Sequence, residues 1–462
     1  MEHRRIGGRG FVGGLVVLAL LATAGCGTSN DDDAGAPTET SAGNETAQVD
    51  SGEFVEITGV PGVTDEEIRF AALGTSTGNN PTGSCYLECF VDGVNAYFAY
   101  RNSEGGVLGR QLVLTEPIDD ELGNNQQRSL EIVSADDVLG VFATPLIPAG
   151  FADLESAGIP VYTYLTTVSE AQRNNVFGAP FGTNCPGCVR LDQAYLVNEL
   201  GATRVAALGY SVGSSSDCAN AVGETIDFYS DALGDAETVY TNGGLTFGLP
   251  NGVAPEVTAM RDADVEVVFT CMDVNGVKAV AEEMKRQGMT DAVIVQNSSF
   301  DEDFIRENAA AYENGVIITN ARPSGEGADG TDRALFEEWI GETGGTLGPE
   351  ISVFGWYLAH LAVAGIEAAG APFDRQSLID ATNSLQGFTA NGLMPERNIA
   401  DQHLVPDESD PSTLQSQPYC WVMYQVIDGE PQLFGEATPE QPWVCWPAPG
   451  QEYSDPELTN FS

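Results

Sequence analysis

Positive charge is what this chain of 462 residues has least of. It carries 19 lysines and arginines against 68 aspartates and glutamates, a formal net charge of −49. Lys278 and Lys285 are its two lysines. A surface this acidic repels nucleic acid and anionic lipid heads, which argues against both as partners. The acidity bears on solubility and salt tolerance rather than on fold. Histidine is scarce too: beyond His3 there are only His360 and His403. That argues against a zinc-uptake role, which needs more imidazole ligands. Past the N-terminal segment no stretch reads as apolar enough to cross a bilayer, for which roughly 20 residues are needed.

What is present begins at the N-terminus. Arg4, Arg5 and Arg9 precede a short apolar run from Phe11 to Ala22. The small residues of Thr23-Ala24-Gly25-Cys26 follow, the order of a secretory signal peptide. The stretch resembles a bacterial lipobox, which implies cleavage after residue 25 and acylation of Cys26. The expectation is an exported protein, lipid-anchored on the outer face of the cytoplasmic membrane. Residues 26–64 are rich in Asp, Gly, Ser, Thr and Glu and read as a disordered acidic tether. Eight further cysteines, an even number in an exported chain, read as disulfides. Cys420 with Cys445, and Cys218 with Cys271, are the expected pairs.

From about residue 66, strand-like and helix-like segments alternate. Ile68–Leu73, Gln111–Thr115, Val138–Phe142, Pro160–Tyr164, Arg204–Leu208, Val265–Cys271, Ala292–Val295 and Val316–Thr319 read as strands. Between them, Val91, Val94 and Phe98 share one helical face, as do Val222, Ile226, Tyr229 and Leu233, and Val277, Val280, Ala281 and Met284. Leu130 and Val133 belong to a further helix. Such alternation means parallel sheets covered on both faces, and two sets are expected, divided near residue 182. Residues 331–385 read as mostly helical and 386–418 as irregular. Tyr424–Phe434 reads as a hairpin turning at Asp428-Gly429.

In this order the segments resemble the type I periplasmic-binding-protein family, nearest the branched-chain amino-acid receptors of ABC importers. The resemblance rests on "EEIRFAALGTSTG", "GVNAYFAYRNSEGGVLGRQLVL", "VLGVFATP", "ESAGIPVYTYLTT", "NELGATRVAALGYS", "WYLAHLAVAGIEAAG" and "YCWVMYQVIDGEPQL". It implies two α/β lobes, each a mostly parallel sheet flanked by helices, joined by three crossovers. Lobe one would hold 66–182 and 320–415, and lobe two 183–319 and 416–450. A solute would lie between the lobes at the C-terminal ends of the strands, where open α/β sheets generally bind ligands.

The resemblance also implies site residues. Thr144, Thr166 and Thr167 stand where the family places hydroxyls that hold a ligand carboxylate. In lobe two the acidic residue that meets an amino-acid ammonium has no direct counterpart. Asn297 stands near its place, and Asp273 offers a carboxylate nearby. Tyr210 stands close to the position of a family tyrosine. Tyr86, Tyr162 and Tyr164 suit either a cleft wall or the core. The expected partners are a small-molecule solute (an amino acid, an amide or a related compound), an ABC permease, and the membrane through Cys26. No nucleic acid, cofactor or metal is expected, no catalysis, and a monomer.

Four other readings compete. Gly209-Tyr210-Ser211-Val212-Gly213 has the form of a hydrolase nucleophile elbow, with Ser211 as nucleophile and His403 as base. Against it, Ser214–Asp217 reads as a loop before the helix, whereas an elbow enters its helix at once. Cys185-Pro186-Gly187-Cys188 has redox spacing, although an exported chain favours a structural disulfide. Cys85 and Cys89 taken with Cys185 and Cys188 have zinc-like spacing, which oxidising conditions oppose. The same two-lobe fold also serves ligand sensors that signal through a partner.

Overall fold

The computed structural model describes residues 54–164, 167–179, 187–297, 299–404 and 420–446. The expected signal peptide, Cys26 and residues 27–53 of the expected tether lie outside them; of the tether's last residues, Ile57 and Val60 are buried in the core, which corrects the expectation of disorder up to residue 64.

Short runs of buried aliphatic residues build two sheets. The first contains β1 (Glu67–Gly74), β2 (Gln111–Leu114), β3 (Ile118–Asp119), β4 (Gly140–Thr144), β5 (Val161–Tyr164) and β6 (Val176–Ala179). Its order is β2-β1-β4-β5-β6, with β3 on the end of β1, and every pairing is parallel. The second contains β7 (Arg204–Tyr210), β8 (Glu237–Leu245), β9 (Val267–Cys271), β10 (Val293–Gln296), β11 (Val316–Thr319), β12 (Cys420–Ile427), β13 (Glu430–Leu433) and β14 (Val444–Cys445). Its order is β13-β12-β11-β10-β9-β7-β8, with β14 on β12. Strands β7 to β11 pair in parallel, and β12 to β14 join antiparallel. Every residue of β4 and β9 is buried, the pattern of strands covered on both faces.

On one face of the first sheet Phe70, Phe142, Tyr162 and Phe177 form a row, with successive ring centroids 5.2, 5.2 and 5.5 Å apart. Tyr162 is therefore core and not cleft wall. Helices Leu87–Ser103 and Glu350–Ala369 pack over this row and cross through glycine. A Cβ on Gly93 would stand 1.8 Å from the Ser352 carbonyl oxygen, and one on Gly355 would stand 2.2 Å from that of Phe90. The 20-residue helix Glu350–Ala369 is long and apolar enough to cross a membrane, which corrects the expectation that no later stretch is. Its apolar residues are instead buried in this core. The second sheet is covered on one face by helices Leu191–Glu199 and Gly213–Phe228 and on the other by Ala254–Asp262 and Val274–Arg286.

Several local expectations need correction. The helix expected through Val222 and Leu233 breaks at Tyr229 into Gly213–Phe228 and Ser230–Leu233. The serines Ser214–Ser216 lie in the first turn of a helix, not in a loop. Strand β8 had not been expected; it is a half-exposed edge whose Asn242-Gly243-Gly244 stretch carries little strand signal. The hairpin of β12 and β13 does turn at Asp428-Gly429, both at positive φ. Disulfides join Cys218 to Cys271, Cys420 to Cys445, and Cys85 to Cys89, so zinc-like spacing at Cys85 and Cys89 resolves as a crosslink. Cys188 is also disulfide-bonded, and Cys185 lies outside the described residues.

The helix crossing is testable. Gly93→Ala or Gly355→Ala should destabilise the protein by about 1–3 kcal/mol, because backbone must move. Gly223→Ala, also mid-helix but with open space around it, should stabilise by about 0.5–1 kcal/mol. Denaturant unfolding checks both, and equal effects at Gly93 and Gly223 would contradict the crossing.

Candidate binding cleft

The C-terminal ends of strands from both sheets meet at one cavity of about 460 Å³. From the first sheet come the loop after β4, with Pro145 and Leu146, and the end of β5, with Thr163 and Tyr164. Tyr210 from β7, Cys271 and Asp273 after β9, and Asn297 after β10 come from the second. The cavity size and its mixed lining suit a small organic ligand, for which pockets run to roughly 300–1,000 Å³.

Asp273 is the most heavily bonded group there. One carboxylate oxygen accepts from the Tyr210 hydroxyl at 2.7 Å. The other accepts from the Asn275 backbone N–H at 3.1 Å, the cap of helix Val274–Arg286, and from the Ser84 hydroxyl at 2.5 Å. Ser84 belongs to the first lobe's loop between β1 and helix Leu87–Ser103, so this carboxylate ties the two lobes together. Asn275 adds a bond from its side-chain amide to the Thr82 carbonyl at 3.0 Å. Gly248 reaches the same loop, where a Cβ would stand 2.5 Å from the Pro81 carbonyl oxygen. Burial, and then the Asp273 charge, push the Tyr210 phenol well up, so it remains a donor.

Arg190 is the cation of the cavity wall. It is 2% exposed, pairs with Asp192 through Nε and Nη2 at 3.1 and 2.6 Å, and stacks over Trp421 at 4.7 Å. Its Nη1 makes no hydrogen bond among the described residues. Asn297 is 2% exposed and points its amide nitrogen at the sulfurs of Cys218 and Cys271, 3.3 and 3.4 Å away. Its Oδ1 has no partner among the described residues. Of these two atoms only Asn297 Oδ1 is a buried group left without a partner among the described residues, which is costly unless something meets it.

Of the residues singled out in the sequence, Tyr86, Tyr210, Asp273, Asn297 and Thr167 line this cavity together, and Tyr164 joins them. Thr167 caps helix Val168–Ala171 in a capping box with Glu170. Thr144 does not line the cavity. It is fully buried at the end of β4, its hydroxyl is unpaired, and its carbonyl accepts from the Thr75 N–H. Thr166 lies outside the described residues. Arg190 and Ser84 escaped the sequence reading. Arg190 carried one available signal, an arginine between an apolar residue and a helix start in a chain poor in cations.

Among the described residues no histidine lines the cavity. His360 is bonded to Asp332 and stacked on Tyr97, while His403 bonds Ala171 and Asn383. Ser211 therefore has no histidine committed to it. No group of three metal-ligating side chains occurs among the described residues.

A family model described as periplasmic binding protein matches residues 67–409. Among solved structures, a substrate-binding periplasmic protein from Ralstonia solanacearum is 15% identical, with a TM-score of 0.60 over 82% of this chain and 100% of its own. A solute-binding protein from R. palustris, solved in complex with 4-hydroxybenzoate, is 16% identical, with a TM-score of 0.61 over 79% of this chain and 95% of its own. A fatty acid ABC transporter substrate-binding protein from Thermomonospora curvata is 16% identical, with a TM-score of 0.60 over 83% and 94%. No curated protein sequence matches the chain significantly.

Behind the cavity, Glu350 joins the lobes a second time. Its carboxylate accepts from the Phe300 N–H at 3.2 Å and from the Thr319 hydroxyl, and its own N–H donates to the Phe300 carbonyl at 2.8 Å. Burial pushes its pKa up to about 7, against the opposing pull of those hydrogen bonds. A carboxyl raised in this way favours the fold when protonated. That contribution is fully present below its ordinary value near 4.5 and is lost as pH rises through about 7. Glu350→Gln should therefore reduce the loss of stability between pH 4.5 and 8 by about 3 kcal/mol relative to the wild type. Identical pH profiles of unfolding free energy would contradict this.

Proposed function

The chain belongs to the periplasmic binding protein family, and on that footing we propose that it captures a small polar solute between its two lobes and delivers it to an ABC importer. The solute is an amino acid, an amide or a related compound bearing a carboxylate or amide group. One observation carries this reading: a cavity between two lobes whose wall leaves Arg190 Nη1 and Asn297 Oδ1 unmet. A ligand carbonyl or carboxylate oxygen answers the first, and a ligand N–H or O–H the second. The carboxylates named for the R. palustris and Thermomonospora curvata proteins fit the same chemistry. Tyr86, Thr167, Tyr210 and Asp273 complete the proposed contacts, with Thr166 beside them. Thr144 would act by setting the Pro145–Leu146 loop.

No bond need be broken for this function. Affinity arises from differential binding to the closed state, in which both walls are present. In this reading Cys26 carries the lipid that keeps the receptor beside its permease, and Cys26→Ala moves the protein from the membrane to the soluble fraction. A Cys26→Ala protein that stays membrane-bound would refute the anchor.

The binding claim is tested by calorimetric titration with propanoate, alanine and propanamide, repeated on the double variant Arg190→Gln, Asp192→Asn. Changing both partners leaves no lone buried charge. Loss of a hydrogen bond to a charged group is worth about 1.5–3 kcal/mol, so affinity should fall by about 10-fold to 100-fold. Unchanged affinity in the double variant, or no binding of any head group to the wild type, would overturn the proposal.

A further inference from the structure

The binding cavity has a disulfide in its wall. Cys218 and Cys271, bonded to each other, both line it, 5% and 6% exposed. The crosslinks Cys85–Cys89 and Cys420–Cys445 contribute nothing to that wall. The amide nitrogen of Asn297 lies 3.3 Å from the Cys218 sulfur and 3.4 Å from the Cys271 sulfur. Exchange with a thiol puts negative charge on whichever sulfur departs, and a group that stabilises this thiolate speeds its departure. Asn297 is placed to do that for either cysteine.

A cation stands in the same wall. The Arg190 backbone N–H donates to the Thr225 hydroxyl at 2.9 Å, and Thr225 lies seven residues beyond Cys218 on helix Gly213–Phe228. That separation is about 10 Å along the helix axis. One helix thus carries a cysteine of the disulfide and anchors the segment of the arginine. A carboxylate held at Arg190 keeps the rest of its solute in the same cavity as the sulfurs, and attack within one cavity replaces a bimolecular encounter. The helix and strand that the disulfide joins are tied again by the Ser215 hydroxyl, which donates to the Cys271 carbonyl at 2.5 Å. Opening the S–S bond therefore leaves another tie in place.

We propose that the Cys218–Cys271 disulfide is a covalent docking point for a solute that carries a thiol together with a carboxylate. The inference rests on the solute-receptor reading and extends it to a class of solute. The solute thiol first loses its proton to water. Its thiolate attacks one of the two cysteine sulfurs. A bond forms between solute and that sulfur, the Cys218–Cys271 bond breaks, and the electron pair leaves on the other sulfur, beside the Asn297 N–H. One disulfide replaces another, so no outside oxidant or reductant is needed. Attack by the freed thiolate on the mixed disulfide reverses the step and releases the solute.

The test exposes the oxidised full-length protein to 3-mercaptopropanoate, to cysteine and to 2-mercaptoethanol, which has no carboxylate. Samples are quenched in acid, free thiols are alkylated, and adducts are mapped by peptide mass spectrometry, with rates compared per thiolate. At least one of the two carboxylate thiols should open Cys218–Cys271 about 10-fold or more faster than it opens Cys420–Cys445, by the advantage of attack within the cavity. Accessibility alone predicts the reverse, since Cys445 is exposed. 2-Mercaptoethanol should follow the order set by exposure. In Asn297→Ala, and in the double variant Arg190→Gln, Asp192→Asn, opening of Cys218–Cys271 should slow by about 10-fold to 100-fold, the worth of one hydrogen bond to a charged group, with Cys420–Cys445 unchanged. Cys420–Cys445 opening first with every thiol would overturn the docking point, and calorimetric binding of propanoate or alanine would then leave the receptor reading standing. An unchanged rate at Cys218–Cys271 in both folded variants would also overturn it. Absence of both adduct and calorimetric binding would overturn the two readings together.

Discussion

One buried carboxylate organises this molecule around its cleft. Asp273 cannot leave water without donors, since an unmet buried charge is prohibitively costly. Two of its donors come from its own lobe, the Tyr210 hydroxyl and the Asn275 N–H. The third, the Ser84 hydroxyl, comes from the other. Opening the lobes exchanges that single bond for one with water, and such exchanges are nearly balanced. The remaining ties between the lobes near the cavity are of the same modest kind: an amide on the Thr82 carbonyl and a glycine against Pro81. A cleft closed by a few polar contacts over a cavity is suited to opening and closing on a solute. A second tie is made by the Glu350 carboxyl, which accepts from the Phe300 N–H and the Thr319 hydroxyl of the other lobe.

The aromatic row of the first sheet and the glycine crossing behind it give the cleft a firmly packed wall on one side. Phe70, Phe142, Tyr162 and Phe177 lock four strands to helices Leu87–Ser103 and Glu350–Ala369. In the second lobe the Cys218–Cys271 disulfide fastens the first helix after β7 to the end of β9, and its sulfurs hold Asn297 in place. Ser215 does similar work, accepting from the Tyr210 N–H at 2.6 Å and donating to the Cys271 carbonyl at 2.5 Å. Ser215, just beyond the glycine-serine string that suggested a hydrolase, thus ties Tyr210 of that string to the end of β9. The string's spacing meets the needs of a tight strand-to-helix turn, and that turn recurs without catalysis.

Most of the architecture was legible because it is written in period. Runs such as Val316–Thr319 and the 3.6-residue spacing of Val277, Val280, Ala281 and Met284 state strand and helix directly. Edge strand β8 was not legible, since a half-exposed strand rich in glycine and asparagine lacks both alternation and β-branched density. At the cleft, the residues placed after strands β7, β9 and β10 could be read from position alone: Tyr210, Asp273 and Asn297 reach the cavity because strand ends do. Arg190 could not, because its place depends on Trp421 and Asp192, and Trp421 lies half the chain away. Tyr162 and Tyr164 differ by two residues on one strand, and their shared chemistry gave no means of telling core from cavity.

The claim that matters most is that the Asp273 bridge holds two lobes that otherwise separate. It is tested by measuring the distance between spin labels carried on unnatural amino acids at Leu130 of the first lobe and Phe228 of the second, both exposed. The wild type and Asp273→Ala are compared without added solute. The account predicts a short-distance population in the wild type that Asp273→Ala loses in favour of longer distances. The same distribution in both proteins would contradict it.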